Sequence, residues 1–168
     1  MQRKIRRILV PLDFSPPSDC ALTYAKTLGA DCGASLHLLH VVEDRLMVGP
    51  WPADGYLGGL PRLCETLIKN AESRMLDCLK SIRQSGIRVT GEVLVGSPFQ
   101  AIVDLAFTSE VDLIVMNTHG RTGITHLLIG SVAERVIRHA SCPVLVVRES
   151  NSAEHVAVPE AVAVNISG

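Results

Sequence analysis

The sequence lacks an excess of charge of either sign and lacks long hydrophobic runs. Its 16 Lys and Arg residues nearly balance 17 Asp and Glu residues, so no basic field argues for nucleic acid or an anionic membrane as a partner. Its apolar runs stay below the roughly 18 residues of a transmembrane helix. The first apolar stretch, residues 8–12, is too short for a signal peptide and contains a proline. We therefore expect a cytoplasmic protein with no nucleic-acid or membrane partner.

Paired cysteines and a P-loop are also missing. The five cysteines form an odd set with no CxxC pair and no histidines at zinc-ligand spacing, which predicts free thiols and no protein-bound metal. No GxxxxGK[ST] sequence is present, which excludes a P-loop nucleotidase. Basic residues do cluster near the start, at Arg3, Lys4, Arg6 and Arg7. We interpret this cluster as a solvated flank of the first strand.

What is present is the alternating hydrophobic pattern of an α/β protein. Strands are predicted over residues 8–12, 35–42, 88–95, 113–116 and 142–147. Helices are predicted from Pro16 to Gly29 or Gly33, over residues 63–84, from Pro98 through Ala106, and over residues 130–140. This order predicts right-handed crossovers and a mostly parallel sheet with helices on both faces.

Two segments fall outside this alternation. Residues 43–61 form a long Gly/Pro-rich loop around Trp51 and Tyr56, whose aromatic rings would either cover a pocket or meet a second subunit. Residues 149–168 form a tail with a weak strand pattern interrupted by Pro159, either an edge strand or disordered. The expected organisation is one domain over residues 1–148, followed by this tail.

The stretch from Asp112 to Ala140 carries the clearest functional pattern. It reads as a buried strand, a loop with glycine, histidine, arginine and hydroxyl side chains, and an amphipathic helix. A glycine-bearing loop that delivers backbone N–H groups at a helix N-terminus is suited to anions, phosphate above all. The alternative is an ordinary strand-to-helix connection capped by Ser131.

Ligands of such sheets bind beyond the carboxyl ends of the strands, where the strand order reverses. The sequence therefore predicts that the residues at those ends converge on one crevice. These residues are Asp13, Val41, Val42, Gly96 and Asn117.

Three segments together resemble the universal stress protein family: PLDFS after the first strand, VGSPFQAIVDLA after the third, and MNTHGRTG…LLIGSVAERVIRHASCPVLVV near the end. The resemblance covers about residues 4–148. It implies a flavodoxin-like or adenine nucleotide α-hydrolase-like fold, a single-domain open parallel sheet of five strands in the order 3-2-1-4-5. It also implies a homodimer formed through the last strand, from Pro143 to Val147.

Nucleotide-binding members of the family carry a glycine, two residues, a second glycine, nine residues, and then glycine with Ser or Thr. Gly120, the stretch 121–129 and Gly130 with Ser131 match this motif, but Asn117 replaces the first glycine. If that position needs a positive φ, Asn tolerates it better than most residues. If it needs bare backbone against the ribose, the Asn side chain would obstruct the sugar.

The resemblance implies ATP as the ligand, with Mg or Mn carried by its phosphates. Asp13 would accept a ribose hydroxyl, or alternatively cap the next helix, and Val41 would meet the adenine through its backbone. Gly130, Ser131 and Val132 would offer N–H groups to the phosphates. The full predicted set is Pro11, Asp13, Val41, Asn117, His119, Gly120, Arg121, Gly130, Ser131 and Val132.

Three functions compete at this stage. The first is a stress-response regulator that binds ATP and changes its choice of an unknown protein partner. The second is a nucleotide-free dimer that acts by protein–protein contact, which Asn117 favours. The third is a slow Mg-dependent ATPase, for which His119, Asp13 and His126 are the candidate bases. No residue is assigned as catalytic, because no dedicated metal-ligand motif accompanies them.

Overall fold

The fold was analysed in a computed structural model that describes residues 4–43, 60–117 and 130–148, with side chains omitted for 60–63. Residues 44–59 of the predicted Gly/Pro-rich loop and the tail from 149 lie outside these ranges. His119, Gly120, Arg121 and His126 of the candidate site also lie outside them. The predicted domain boundary at residue 148 therefore stays a prediction.

Within the described ranges, five strands alternate with four helices. The strands are β1 (Arg7–Pro11), β2 (Ser35–Glu43), β3 (Val89–Gly96), β4 (Leu113–Asn117) and β5 (Val144–Val147). The helices are α1 (Pro16–Cys32), α2 (Leu60–Gln84), α3 (Pro98–Thr108) and α4 (Ser131–His139). None of these helices is both long and apolar enough to span a bilayer.

The strands form one parallel sheet in the order β3-β2-β1-β4-β5, as the sequence predicted. β1 is central: Ile8 is in register with Leu36 of β2 on one side and with Leu113 of β4 on the other. β3 and β5 are the edges, and β5 pairs with β4 through Asn117 and Val147 at its end.

Two apolar clusters cover the two faces of the sheet. Ile8 and Val10 of β1 pack with α1 and α2 on the first face, and Leu9 packs with α3 and α4 on the second. All three side chains have 0% exposure, because neighbouring residues of a strand point to opposite faces and both faces are covered. The continuous apolar runs seen in the sequence have this cause.

Element ends differ from the prediction by a few residues, for identifiable reasons. α2 begins at Leu60, three residues before the predicted start at Leu63, since Pro61 lies in its first turn, where a missing N–H costs nothing. Of the two ends predicted for α1, the structure has the second: the helix runs past Gly29, which lies buried against Leu36, and ends at Gly33 with a left-handed φ of 66°.

All five cysteines are free thiols, as their odd number predicted. Burial, followed by the negative charge of Asp19, raises the pKa of the Cys78 thiol on α2 above its usual value. This side chain packs beside the first-face cluster. It therefore behaves as a small apolar residue rather than as a reactive thiolate.

Replacing Ile114 by Ala tests the two-faced burial of the sheet. Ile114 of β4 is fully buried in the second-face cluster, so we expect the free energy of unfolding to fall by about 2–5 kcal/mol. Urea unfolding monitored by circular dichroism measures this loss. The control Leu76→Ala, on α2 with 55% exposure, should change it by less than about 0.5 kcal/mol. Equal losses in the two variants would contradict the described packing.

Candidate functional site

The strand order reverses beside β1, at the carboxyl edge of the sheet. The chain leaves β1 through α1 on the first face to reach β2, and leaves β3 through α3 on the second face to reach β4. After β4 the chain leads to α4, which also packs on the second face, so the connections after β1 and β4 diverge to opposite faces. In sheets of this topology the ligand crevice lies between the carboxyl ends of these two strands.

The turn after β1 is organised by Asp13. The strand ladder closes where the Leu12 N–H donates to the Leu39 carbonyl at 2.8 Å. One residue on, Asp13 Oδ1 accepts the Ser15 N–H at 3.0 Å and the Ser15 hydroxyl at 2.5 Å. Ser15 is the N-cap of α1, but its hydroxyl makes no capping bond to the helix. Asp13 thus holds the turn that enters α1 by binding its N-cap residue, Ser15.

Phe14 follows with a φ of 59°, a left-handed conformation that is uncommon for a residue other than glycine. Its carbonyl accepts a hydrogen bond from Arg74 of α2 at 2.9 Å, and the guanidinium carbon lies 4.6 Å from the ring centroid. On β2, the His40 ring lies 4.5 Å from the Phe14 ring, and its Nδ1–H donates to the Leu12 carbonyl at 2.7 Å. The turn that carries Asp13 is therefore held from both α2 and β2.

Val41 presents backbone groups at the same edge. Alternate residues of β2 face β1: the Ser35 N–H donates to Arg6, and the Leu39 carbonyl accepts from Leu12. Val41 is two residues beyond Leu39, so its N–H and C=O point to the same side. β1 has ended there at Pro11. The backbone of Val41 therefore faces the space past the end of β1, as the prediction of a backbone contact requires.

Asn117 is the last residue of β4 and has strand geometry, in register with Val147. In the described part of the chain, the non-glycine residues with a positive φ are Phe14 and Glu110. Asn117 therefore does not occupy this motif position because of a left-handed backbone. Of the two explanations that the sequence left open, only the one concerning side-chain bulk still applies.

α4 places its N-terminus at this edge, because it runs back antiparallel to β4 before β5 begins. Gly130 is the N-cap, and its carbonyl accepts the Glu134 N–H at 2.9 Å. The N–H groups of Ser131, Val132 and Ala133 precede that bond and have no acceptor within the helix. Ser131 is the first helical residue and Gly130 is the N-cap, so the alternative of a connection capped by Ser131 is not what the structure has.

Two features of α4 suit an anion at this N-terminus. Gly130 has φ −57° and ψ 147°, which any residue can adopt, so glycine contributes its missing side chain there rather than a special backbone. The Glu134 carboxylate, in the first turn, is paired with Arg138 at 2.9 Å. Its repulsion toward an anion is thereby reduced.

Among the described residues, six of the predicted site residues thus lie at the carboxyl edge of the sheet. Pro11, Asp13 and Val41 come from β1 and β2, and the α4 N-terminus supplies Gly130, Ser131 and Val132. Asn117 ends the neighbouring strand, whereas the predictions on His119, Gly120 and Arg121 fall outside the described residues. The described side chains contain no group of three or more potential metal ligands.

Sequence reasoning missed Phe14 and Arg74, which hold the Asp13 turn. The two are 60 residues apart. Arg74 precedes Met75 of the apolar stripe of α2, and its exposed helical position gives no indication of a partner. Only the packing of α2 beside the end of β1 reveals their contact.

Arg74→Ala removes the cation–π contact and the hydrogen bond on Phe14. We expect the free energy of unfolding to fall by about 1–2 kcal/mol, as measured by urea unfolding. Lys80→Ala removes the same charge from the same helix, but the Lys80–Asp77 pair is exposed and 3.9 Å long. This control should change stability by less than about 0.5 kcal/mol. If both variants lose the same stability, Arg74 does not hold the turn.

Comparison with known proteins agrees with this geometry. The model of the Universal stress protein family matches residues 4–148. Universal stress protein MJ0531 of Methanocaldococcus jannaschii is 35% identical over 144 residues, which cover 86% of this chain and 82% of the relative. Universal stress protein MJ0577 of the same organism is 32% identical over 164 residues, covering 88% of this chain and 97% of the relative.

Solved structures share the fold. The structure of MJ0577 superposes with a TM-score of 0.79 at 32% identity, and the match covers 89% of this chain and 100% of that one. The universal stress protein from Archaeoglobus fulgidus in complex with dAMP gives a TM-score of 0.59 at 24% identity, over 86% of this chain and 98% of that one. The sheet order, the strand-end crevice and the matched family span together show that the chain belongs to the universal stress protein family.

Proposed function

We propose that this protein binds ATP in the crevice between β1 and β4 and acts as a nucleotide-dependent switch in the stress response. The observation that carries the proposal is the N-terminus of α4, whose first N–H groups have no acceptor within the helix and lie at the edge where Asp13 and the backbone of Val41 lie. Three kinds of group that a nucleotide needs therefore converge on one edge: amides for phosphate, a carboxylate for ribose and a peptide edge for the base.

The phosphates occupy the α4 end. The helix dipole favours negative charge there, and the amides of Ser131 and Val132 donate directly to phosphate oxygens. Gly130 leaves room for the polyphosphate because it has no Cβ. Gly120, His119 and Arg121 complete the phosphate contacts in this proposal, and the phosphates carry the Mg or Mn ion.

The nucleoside lies toward β1 and β2. The Asp13 carboxylate accepts a ribose hydroxyl while Oδ1 keeps its bonds to Ser15, since a carboxylate has about four acceptor positions. The adenine edge carries a donor and an acceptor, and the exposed peptide edge of Val41 offers the complementary pair. Pro11, half-buried at the end of β1, forms the floor of the crevice.

The fold neighbour from Archaeoglobus fulgidus was solved with dAMP. At 24% identity it contributes the fold alone, so the choice of ATP depends on the residues of this chain. An adenine nucleotide fits these residues, because one phosphate group accepts hydrogen bonds from the α4 amides. The two further phosphate groups of ATP extend along the same helix end.

Two other functions share these residues. Slow ATP hydrolysis would use Asp13, His119 or His126 as the base, and a single-turnover assay with labelled ATP distinguishes it from binding alone. A nucleotide-free dimer would keep the crevice empty behind the Asn117 side chain. Mass analysis of small molecules released from the denatured protein separates this reading from the other two.

Isothermal titration of the full chain with Mg-ATP tests the binding proposal. We expect saturable binding to the wild type and a loss of affinity of about 100-fold or more in Gly130→Val, since the new side chain fills the phosphate space. The variant folds because a β-branched residue accepts φ −57° and ψ 147°.

Ser97→Val is the matched control. Ser97 is the N-cap of α3 and makes no side-chain capping bond, so this variant places the same side chain at the N-cap of another helix and should bind ATP normally. No heat with wild-type protein, or equal affinity of Gly130→Val and the wild type, would overturn the proposal.

We also propose that the protein is a homodimer formed through β5. In the described residues β5 pairs only with β4, and its outer edge carries four half-buried apolar residues, Val144–Val147. Ile137 of α4 adds an apolar side chain with 43% exposure. An apolar edge strand of this kind is a template for pairing with a second copy.

Val146→Lys tests the dimer, because it introduces a charge on the β5 edge. We expect it to shift the protein from dimer to monomer at micromolar concentration, as measured by light scattering after gel filtration. The control Val95→Lys introduces the same charge on β3, the opposite edge strand, where Val95 is 47% exposed, and should remain dimeric. A wild-type monomer, or dissociation of both variants, contradicts the proposed interface.

A further inference from the structure

The amino-terminal edge of the sheet, opposite the nucleotide crevice, holds a second concave site. Two adjoining cavities of about 420 and 470 Å³ open there and share Ser35 and Arg88 in their walls. They lie between the start of β1, the start of β3 and the C-terminal ends of α1 and α2. We call this feature the basic groove. Its size is in the range of small-molecule sites.

The basic groove is lined by positive charge alone. Its walls contain five cationic side chains and no acidic one; the cations are Lys4, Arg6, Arg7, Arg83 and Arg88. The chain as a whole carries a formal charge of −1, so this edge is much more positive than the chain on average. Like charges gathered in a cleft repel one another, and an anion removes that repulsion.

Two of these side chains are already oriented. Arg88 donates one N–H to the Gly33 carbonyl at 3.1 Å, and Arg7 donates one to the Ser109 carbonyl at 2.6 Å. A guanidinium has five N–H donors, so Arg88 keeps donors for a ligand while its position at the groove wall is fixed. Arg7 is instead directed toward Ser109 and Glu110, which do not line the groove. A preorganised fork such as that of Arg88 suits the oxygens of a phosphate.

The other three cations are not used by the fold. In the described part of the chain, the side chains of Lys4, Arg6 and Arg83 make no hydrogen bond or ion pair. The nearby Asp112 carboxylate binds the backbone N–H groups of Arg6 and Arg7, at 2.8 and 3.0 Å. Glu110 lies 3.8 Å from Arg7 but is 87% exposed, so it neutralises little of the charge.

Helix dipoles account for only part of this cluster. α1 and α2 both end at the basic groove, and cations are favourable near helix C-termini. This explains Arg83, in the last turn of α2, and Arg88, on the Gly33 carbonyl. It does not explain Lys4 and Arg6, which precede β1 in the chain. Lys4, Arg6 and Arg7 are exposed, as expected for a solvated flank of the first strand, and they also line the basic groove.

We propose that the basic groove binds a compact anion with two or more phosphate groups, independently of the nucleotide crevice. Two adjoining cavities of this volume accommodate a small anion. No aromatic residue lines the two cavities, so the stacking platform of a single-stranded nucleic-acid site is missing there. The two sites lie at opposite ends of the same parallel strands.

Titration with inorganic tripolyphosphate at 0.15 M salt tests this proposal. We expect saturable binding that weakens as salt rises. Arg6→Gln combined with Arg83→Gln should lower the affinity by about tenfold or more, and the fold should survive because neither side chain has a described partner. Gly130→Val should still bind tripolyphosphate, since it alters only the opposite edge.

The matched control is Lys69→Gln combined with Lys80→Gln, which removes two exposed positive charges of α2 outside the basic groove and should bind normally. Equal losses in the two double variants would show a general charge effect and overturn the proposal. Loss in Gly130→Val alone would place the anion in the crevice and also overturn it. No tripolyphosphate binding, with or without capture on vesicles of anionic phosphatidylserine, would overturn it as well.

Discussion

The burial of β1 on both faces and both sides is the constraint on which the rest of the structure depends. Ile8, Leu9 and Val10 have no solvent exposure, and β2 and β4 take up the backbone groups of β1 on either side. A strand in this position has no freedom to slide, because a shift by one residue would exchange its two faces. Whatever follows Pro11 therefore leaves the sheet at a fixed place. The packing of the core therefore determines where the crevice lies.

From that point, short polar contacts convert a fixed strand end into a fixed carboxylate. Asp13 binds Ser15, while His40 and Arg74 hold the carbonyls on either side of it, at Leu12 and Phe14. These contacts come from β2 and α2, so the position of the turn depends on the packing of elements that are distant in the sequence. A site assembled in this way needs no long-range electrostatic design, because each group is placed by its own strand or helix.

How much could be predicted from sequence follows from the range of the interactions. Apolar periodicity identified every described element, since burial on one face or two imposes a repeat of 3.6 residues or a continuous apolar run. The start of α2 was missed by three residues because Pro61 reads as loop and is also tolerated in a first helical turn. The start of α4 was predicted one residue early, at Gly130, since Gly130 and Ser131 are both common at helix starts and Gly130 is in fact the N-cap.

The candidate site was predictable where it is made of strand ends and a helix start, because the topology alone brings these together. The Arg74–Phe14 contact and the basic groove were not, since each joins residues far apart in the chain through side chains that look like ordinary solvated charges. The resemblance to the universal stress protein family supplied the ligand hypothesis, but the nucleotide-binding motif of the family contains no residue of α2. Packing of whole elements, rather than local pattern, decides those contacts.

The left-handed backbone conformation of Phe14 has a consequence for substitutions at this position. A glycine there would relax the backbone by about 1 kcal/mol, yet it would leave the His40 ring and the Arg74 guanidinium with nothing to pack on. Position 14 is thus a place where a substitution that looks stabilising from backbone angles alone would loosen the neighbouring carboxylate. Engineering for heat resistance would do well to leave that aromatic ring in place.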